Sequence, residues 1–323
     1  MTKIINSKDL LKHSFTKCVL DAFQHLDLVK QIKRTQNVRP LLDGYSLPDF
    51  AASDMSYEEY FVRNLFRKAE NIKVDGHDAE LDTILKFKDF LKEQELRQVK
   101  VLALLEKIDD STSFGRVMLM ARERMHEVFS GFNEIYDVKP RFTSGASLSL
   151  PRVKASSPFE RFKASEGSEH LRRVFDQRRK EGIVRFSFTD RAFPQTKGTD
   201  DFYTALECVP KYWYILRIIG KNPTSVMACQ AGIGDWMTYR AKSRLGIDIT
   251  TAQGKHKTLA RMASLVDSYL MTADQSEASD RILRILIKWL IPDNVYQYLV
   301  DVTPTQIRLP DGTSVQTHMM APA

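Results

Sequence analysis

The sequence predicts an α+β, mostly helical fold, and two patterns lead to it. Over the first 130 residues apolar side chains recur three and four apart, the spacing that puts one greasy stripe on a helix. Later, the short apolar run Tyr269 to Ala273 ends at Asp274 and gives way at once to a helical pattern, as a buried strand would that delivers a carboxylate to the floor of a cleft. Charge and spacing divide the chain into three segments: a helical region over 1–130, a basic region over 131–261 and a strand–helix–hairpin region over 262–323.

In the first segment Ser7 is placed to cap a helix with Leu10, Leu11, Phe15, Val19, Ala22, Phe23 and Leu26 on one face. Ser56 and Glu59 form a capping-box pattern ahead of Tyr60, Phe61, Leu65 and Phe66, after a loop at 44–53. Asp75-Gly76 marks a turn, and Leu81, Ile84, Leu85, Phe87, Leu91, Leu96, Val99, Leu102 and Leu105 predict a long helix over 78–108. A further helix is expected from Ser113 to Phe129, its methionines serving as core filler.

Hydrophobic residues make up 43% of the chain, enough for a large core. No stretch of about 18 apolar residues occurs and the N-terminus lacks a signal-peptide core, so a cytoplasmic location without membrane insertion is expected. Three cysteines, Cys18, Cys208 and Cys229, share no paired spacing, which argues against both a disulfide framework and a zinc site. No Gly-x-Gly-x-x-Gly and no Walker loop is present, which disfavours a Rossmann or P-loop enzyme.

The formal net charge is +7, and Arg152 to Lys255 alone carries 19 Lys+Arg against 11 Asp+Glu. A segment this basic suits a polyanion. Within it, Arg172, Arg173, Arg178, Arg179 and Lys180 crowd one predicted helix, and Val209 to Lys221 alternates basic with aromatic or aliphatic residues. Ahead of them, the Ser- and Gly-rich loop Phe142 to Ser149 offers amides and hydroxyls that can contact sugar and phosphate. Gly232-Ile233-Gly234 is expected to open a helix that Gly246 ends. Gln253 to Lys257, with His256, reads as polar surface. After Asp274, Ser276 or Ser279 would cap the helix bearing Ile282, Leu283, Ile285, Leu286, Trp289 and Leu290, which Pro292 ends.

Asp274-Gln275-Ser276-Glu277-Ala278-Ser279-Asp280 resembles the first palm motif of the replicases of single-stranded RNA bacteriophages, the Qβ replicase family, where the pattern is Asp-x-Ser-x-Ala-Ser-Asp. Further blocks agree in order: Phe142 to Ser147, Val209-Pro210-Lys211 followed by Gly232-Ile233-Gly234 with Arg217 between, Arg244 to Asp248, and the hairpin Arg308-Leu309-Pro310-Asp311-Gly312-Thr313. The similarity covers roughly residues 115–323.

The resemblance implies an RNA-directed RNA polymerase shaped as a right hand, with fingers and the first part of the palm within this chain. It implies nucleotidyl transfer with two Mg2+ ions, bound by Asp274 and, through its carbonyl, Gln275. Asp280 is then expected near the ribose of the incoming nucleotide, and Lys211 and Arg217 over its triphosphate; where relatives have polar and charged residues this chain has Tyr212 to Leu216, which leaves Lys221 without an assigned role. Arg172, Arg173, Arg178 and Arg179 would line the template path. The implied partners are RNA template and product, ribonucleoside triphosphates and host translation elongation factors, in the cytoplasm of the bacterial host, with no membrane.

The family's Gly-Asp-Asp turn and its Gly-Asn motif do not occur in these 323 residues. One carboxylate cannot hold two metals, so the sequence is expected to be the N-terminal part of a replicase and inactive alone. The competing expectation is a non-catalytic RNA-binding protein that keeps polymerase fingers.

Overall fold

The structure is a computed structural model that describes residues 5–6, 12, 14–35, 55–67, 72–73, 77–141, 146–148, 150, 166–167, 169–181, 197–198, 203–211, 214–265 and 281–319. It is mostly helical with a small mixed sheet, in keeping with the α+β expectation. The chain divides into two compact units, residues 1–89 with 207–219, and residues 90–206 with 220–323. Both units take in residues from either side of position 130.

In the first unit the expected N-terminal helix is two helices, α1 (Ser14–Ala22) and α2 (Asp27–Thr35), separated by a turn in which Leu26 N–H donates to Phe23 O at 3.1 Å. The break lets Val19 and Leu20 of α1 and Leu28, Val29 and Ile32 of α2 meet Val62 and Phe66 of α3 (Tyr57–Arg67) in one buried cluster, which a straight helix would spread along its length. Ser7 lies outside the described residues. The capping expectation at α3 holds on one side: Ser56 Oγ accepts from Glu59 N–H at 3.2 Å. The Glu59 carboxylate instead takes two hydrogen bonds from Arg63, at 2.9 and 3.0 Å. The region is not helical throughout, because β1 (Ile5–Asn6) and β2 (Ile72–Lys73) form a short parallel pair. Asp78 caps α4 (Ala79–Leu105), its Oδ1 accepting from Glu80 and Leu81 N–H.

The second unit is built around α5 (Ser113–Phe129), α6 (Glu169–Lys180) and α7 (Thr224–Leu245). The Ser113–Phe129 expectation is met, and Thr112 caps the helix by accepting from Gly115 N–H at 2.9 Å. Helix α7, however, starts eight residues ahead of Gly232, directly after Pro223, which holds the N-cap position. Its core face, Val226, Ala228, Cys229, Ile233 and Trp236, meets Val128, Phe129 and Phe132 from the end of α5 and Leu171 from α6. Trp236 lies 4.7 Å from Phe132 and 5.7 Å from Phe129 between ring centroids, and Phe132 meets Tyr298 edge-on. Each such pair contributes about 0.5–1.5 kcal/mol beyond area burial.

Gly232 is in that helix for a steric reason. A Cβ there would sit 2.7 Å from the Lys139 carbonyl oxygen, so only glycine lets the 139–141 segment lie against α7. The segment is then tied down by Arg141 N–H donating to Ala228 O and by the two-pronged Arg141–Asp235 ion pair. Gly246 ends α7 at φ 69°, as expected, and α8 (Ile249–Leu265) comes next.

At the C-terminal end, α9 (Arg284–Leu290) does not begin at a Ser276 or Ser279 cap. Leu283 occupies the cap position in an extended conformation because it pairs with Met319 in an antiparallel bridge. Pro292 then starts α10 (Asp293–Asp301). The sheet runs β6-β5-β7-β8, from β5 (Tyr203–Pro210), β6 (Leu216–Lys221), β7 (Gln306–Arg308) and β8 (Ser314–Gln316). β7 pairs parallel with β5 and antiparallel with β8 across the Leu309–Thr313 turn, so the expected hairpin is present. β3 (Glu166–Gly167) and β4 (Lys197–Gly198) form a separate parallel pair.

The two glycines of the Gly-Ile-Gly stretch should respond oppositely to alanine. Gly232→Ala pushes a methyl into main chain and is expected to cost about 1–3 kcal/mol. Gly234 is exposed with open space around its Cβ position, so Gly234→Ala should stabilise α7 by up to about 1 kcal/mol. Thermal unfolding of the two variants measured by circular dichroism, with Tm shifts of opposite sign, checks this.

Candidate nucleotide and RNA interface

Lys211, directly after β5, and Arg217, on β6, are both exposed. Each unit holds its own part of these two strands by hydrogen bonds. At the far end, which belongs to the N-terminal unit, Leu216 N–H donates to Thr83 Oγ1 at 2.9 Å, His77 Nε2 is 2.8 Å from Tyr214 O, and Tyr214 packs against the α1–α3 core. At the base, Thr204 Oγ1 bonds Asn222 Oδ1, Asn222 Nδ2 bonds Gln230, and Gln230 Nε2 donates to Val302 O at 2.6 Å. The polar side chains that fix the base carry no periodic signal, so the sequence alone does not reveal them. Cys208, half-buried on β5, has its thiol pushed up by burial and by Glu80.

The arginines of α6 do not act alike. Arg173 is exposed, and the side chains of Arg172 and Arg179 lie outside the described residues. Arg178 is 4% exposed and donates from Nη1 to Ile135 O at 2.5 Å and Val138 O at 2.6 Å. It is therefore a main-chain clamp, and the expectation that it faces RNA is corrected: a guanidinium engaged with buried carbonyls is not on the surface. Spacing along the sequence groups the four, yet Arg178 falls on the same helix face as Leu171 and Val174, which are buried.

Asp274, Gln275 and Asp280, together with the strand expected at Tyr269–Ala273, lie outside the described residues. A few residues further on, the chain is firmly held. Arg284, 9% exposed, donates from Nε to Met319 O at 2.9 Å and from Nη2 to Thr303 O and Pro304 O at 3.1 and 2.9 Å. Burial pulls its pKa below the usual guanidinium value. Its backbone N–H also donates to His318 O. One side chain thus ties the start of α9 to the end of α10 and to the strand after the hairpin. Nothing in the sequence marks it.

The α7–α8 corner carries a second group of cations. Asp248 receives Lys242 Nζ at 2.7 Å and accepts from Thr250 N–H and Oγ1 at the start of α8. Beyond it, Lys255, His256, Lys257 and Arg261 are exposed along α8, in line with the surface reading of His256.

The family described as RNA replicase, beta-chain, matches residues 25–322, nearly the whole chain. The chain belongs to the RNA replicase beta-chain family. It is 28% identical over 274 residues to the RNA-directed RNA polymerase subunit beta of Enterobacteria phage SP, covering 82% of this chain and 46% of that protein. Over 104 residues it is 38% identical to the RNA-directed RNA polymerase beta chain of Enterobacteria phage GA, 32% of this chain and 19% of that one. Over 113 residues it is 34% identical to the corresponding chain of Escherichia phage MS2, 35% of this chain and 20% of that one. The matches therefore span about half the length of these relatives at most. Membership in this replicase family accords with the resemblance carried by the 274–280 motif and the hairpin.

Lys242 and Thr250 hold the Asp248 carboxyl down to about 2, from an ordinary 3.8. Because the folded value is the lower one, the corner gains its stabilisation above pH 3.8 and loses it only as pH falls through about 2. Carboxyl-carbon NMR titration should give that low midpoint for Asp248, and Lys242→Met should move it upward.

Proposed function

We propose that this chain carries the fingers and the beginning of the palm of an RNA-directed RNA polymerase that copies a phage RNA genome. The observation that carries the reading is the replicase-family match over 25–322 enclosing Asp-x-Ser-x-Ala-Ser-Asp at 274–280. The relatives' names as RNA-directed RNA polymerase chains support it.

In this reading the 3′ hydroxyl of the growing strand attacks the α-phosphate of an incoming ribonucleoside triphosphate in line with the departing pyrophosphate. Negative charge spreads over the phosphate oxygens as it does so, and fixed cations beside them lower the barrier. Lys211 and Arg217, both exposed, take that role. Asp280 reads the ribose 2′ hydroxyl. Asp274 through its carboxylate and Gln275 through its carbonyl would hold magnesium; an all-oxygen donor set suits that hard cation, which when bound supplies Lewis-acid stabilisation of the attacking and leaving oxygens. Among the described residues no group of three or more His, Cys, Asp or Glu side chains gathers to hold a metal. Arg173, with Arg172 and Arg179 on the same helix, contacts template phosphates, while Arg178 does not. Host translation elongation factors as partner subunits and a location in the bacterial cytoplasm belong to the same reading. No helix among the described residues is long and apolar enough to cross a membrane.

Three measurements test it. The polypeptide 1–323 lacks Gly-Asp-Asp and should incorporate no nucleotide with magnesium and all four triphosphates; template-dependent elongation above background would overturn the metal assignment. In an active replicase containing this segment, Asp274→Asn should lower kcat by about 10²–10³ or more with the fold intact by circular dichroism. Asp280→Asn should chiefly reduce the preference for ribonucleotides over deoxyribonucleotides, by about tenfold. Retained elongation in Asp274→Asn would make that aspartate a helix cap. In the same enzyme Lys211→Ala and Arg217→Ala should each reduce kcat/KM for nucleotides by about 10²-fold while template affinity stays unchanged. The reverse split would move the residue concerned to the template path.

A further inference from the structure

Arg124, Glu127, Val128, Ser130 and Arg244 line an open pocket of about 420 Å³ where the last turns of α5 and α7 lie together. Two of the five are arginines, and they are differently disposed. Arg124 Nη1 is 2.7 Å from Glu127 Oε2, a surface pair of the i,i+3 kind. Arg244 is exposed, and its side chain makes no hydrogen bond or ion pair among the described residues. Arg240 is spent on main chain, donating from Nε to Val128 O at 2.7 Å and from Nη2 to Ser130 O at 2.8 Å. Those bonds cover the carbonyls that would otherwise turn the negative end of α5 toward the pocket.

The pocket therefore holds two arginines against one carboxylate. Its other basic neighbour on α7, Lys242, is already neutralised by Asp248. Cations in the last turn of a helix favour its dipole, and that accounts for Arg244 lying near the end of α7. It does not account for Arg244 sharing a cavity with Arg124, where the one carboxylate, Glu127, pairs with Arg124 and leaves the charge of Arg244 unbalanced. Arginine's flat fork suits a phosphate oxygen pair, and an open pocket suits a strand that passes over it.

We propose that this pocket holds a backbone phosphate of single-stranded RNA, with Arg244 and Arg124 as its ligands. The proposal rests on the reading that the chain handles RNA. A free nucleotide's triphosphate offers the same chemistry, so the test includes it.

The experiment uses the 323-residue chain and a fluorescein-labelled oligouridylate, with binding measured by anisotropy from low to moderate KCl. Arg244→Gln should weaken binding by about threefold to tenfold and reduce the slope of log K against log salt by about 0.7, one phosphate's share for a single strand. Arg124→Gln should do the same, and the double variant should lose less than the product of the two because they share one phosphate. Glu127→Gln should tighten binding. The Arg244 side chain has no bonded partner among the described residues to disturb, so unchanged thermal unfolding is the control. If wild type binds RNA and neither arginine variant alters affinity or slope, the pocket assignment fails and the polymerase reading stands. Should UTP affinity fall with Arg244→Gln while RNA affinity does not, the pocket belongs to the nucleotide and the proposal is overturned. Failure of wild type to bind RNA at low salt would overturn both.

Discussion

The close approach of α7 to the Lys139–Arg141 segment is the constraint on which the larger unit depends. With no side chain at Gly232, main chain packs against helix, and Trp236 one turn on closes over Phe129 and Phe132. From that spine hang the candidate groups. Asn222 and Gln230 tie its first turns to β5 and to the end of α10, Arg240 ties its last turns to the end of α5, and Lys242 sets the corner into α8. A helix fixed on one face by aromatic burial and on its flanks by hydrogen bonds is a rigid mount for the side chains it carries.

Charge counted along the sequence overstates what a ligand meets. Arg178, Arg240 and Arg284 each donate to two or more main-chain carbonyls. Guanidinium suits this work because it carries five donors in a plane and stays charged when partly desolvated, and an unpaired buried carbonyl is costly. The arginines that a ligand can reach are those on open surface, Arg173, Arg217 and Arg244 among them. Burial separates the two classes where residue type does not.

Local signals in the sequence are legible where they are self-contained. The limits of α5, the Ser56 cap, the αL glycine at 246 and the turn around Gly312 each depend on residues within a few positions. Legibility ends where distant chain decides the outcome. Leu283 has the spacing of a helical residue but is extended because Met319 pairs with it. Gly232 looks like a helix opener because its reason, the Lys139 carbonyl, is far away in sequence. The break between α1 and α2 arises because α3 offers Val62 and Phe66 to both. Of the functional reading, the replicase family is legible from the sequence. The pocket between the ends of α5 and α7 is not, since Arg124 and Arg244 meet only through tertiary packing.

The N-terminal unit is not continuous in sequence: residues 1–89 are completed by 207–219, whose Tyr214 packs on the α1–α3 core and whose Leu216 bonds Thr83. A ribosome makes α1, α2 and α3 first but delivers their last partner only after 90–206 has emerged. The early helices must therefore wait with apolar surface uncovered, and a late closing segment of this kind makes the unit's assembly depend on the rest of the chain having been translated. In a chain whose family copies RNA, this arrangement also makes the integrity of the message itself a condition of folding: a ribosome that stops before codon 207 leaves an unclosed N-terminal unit.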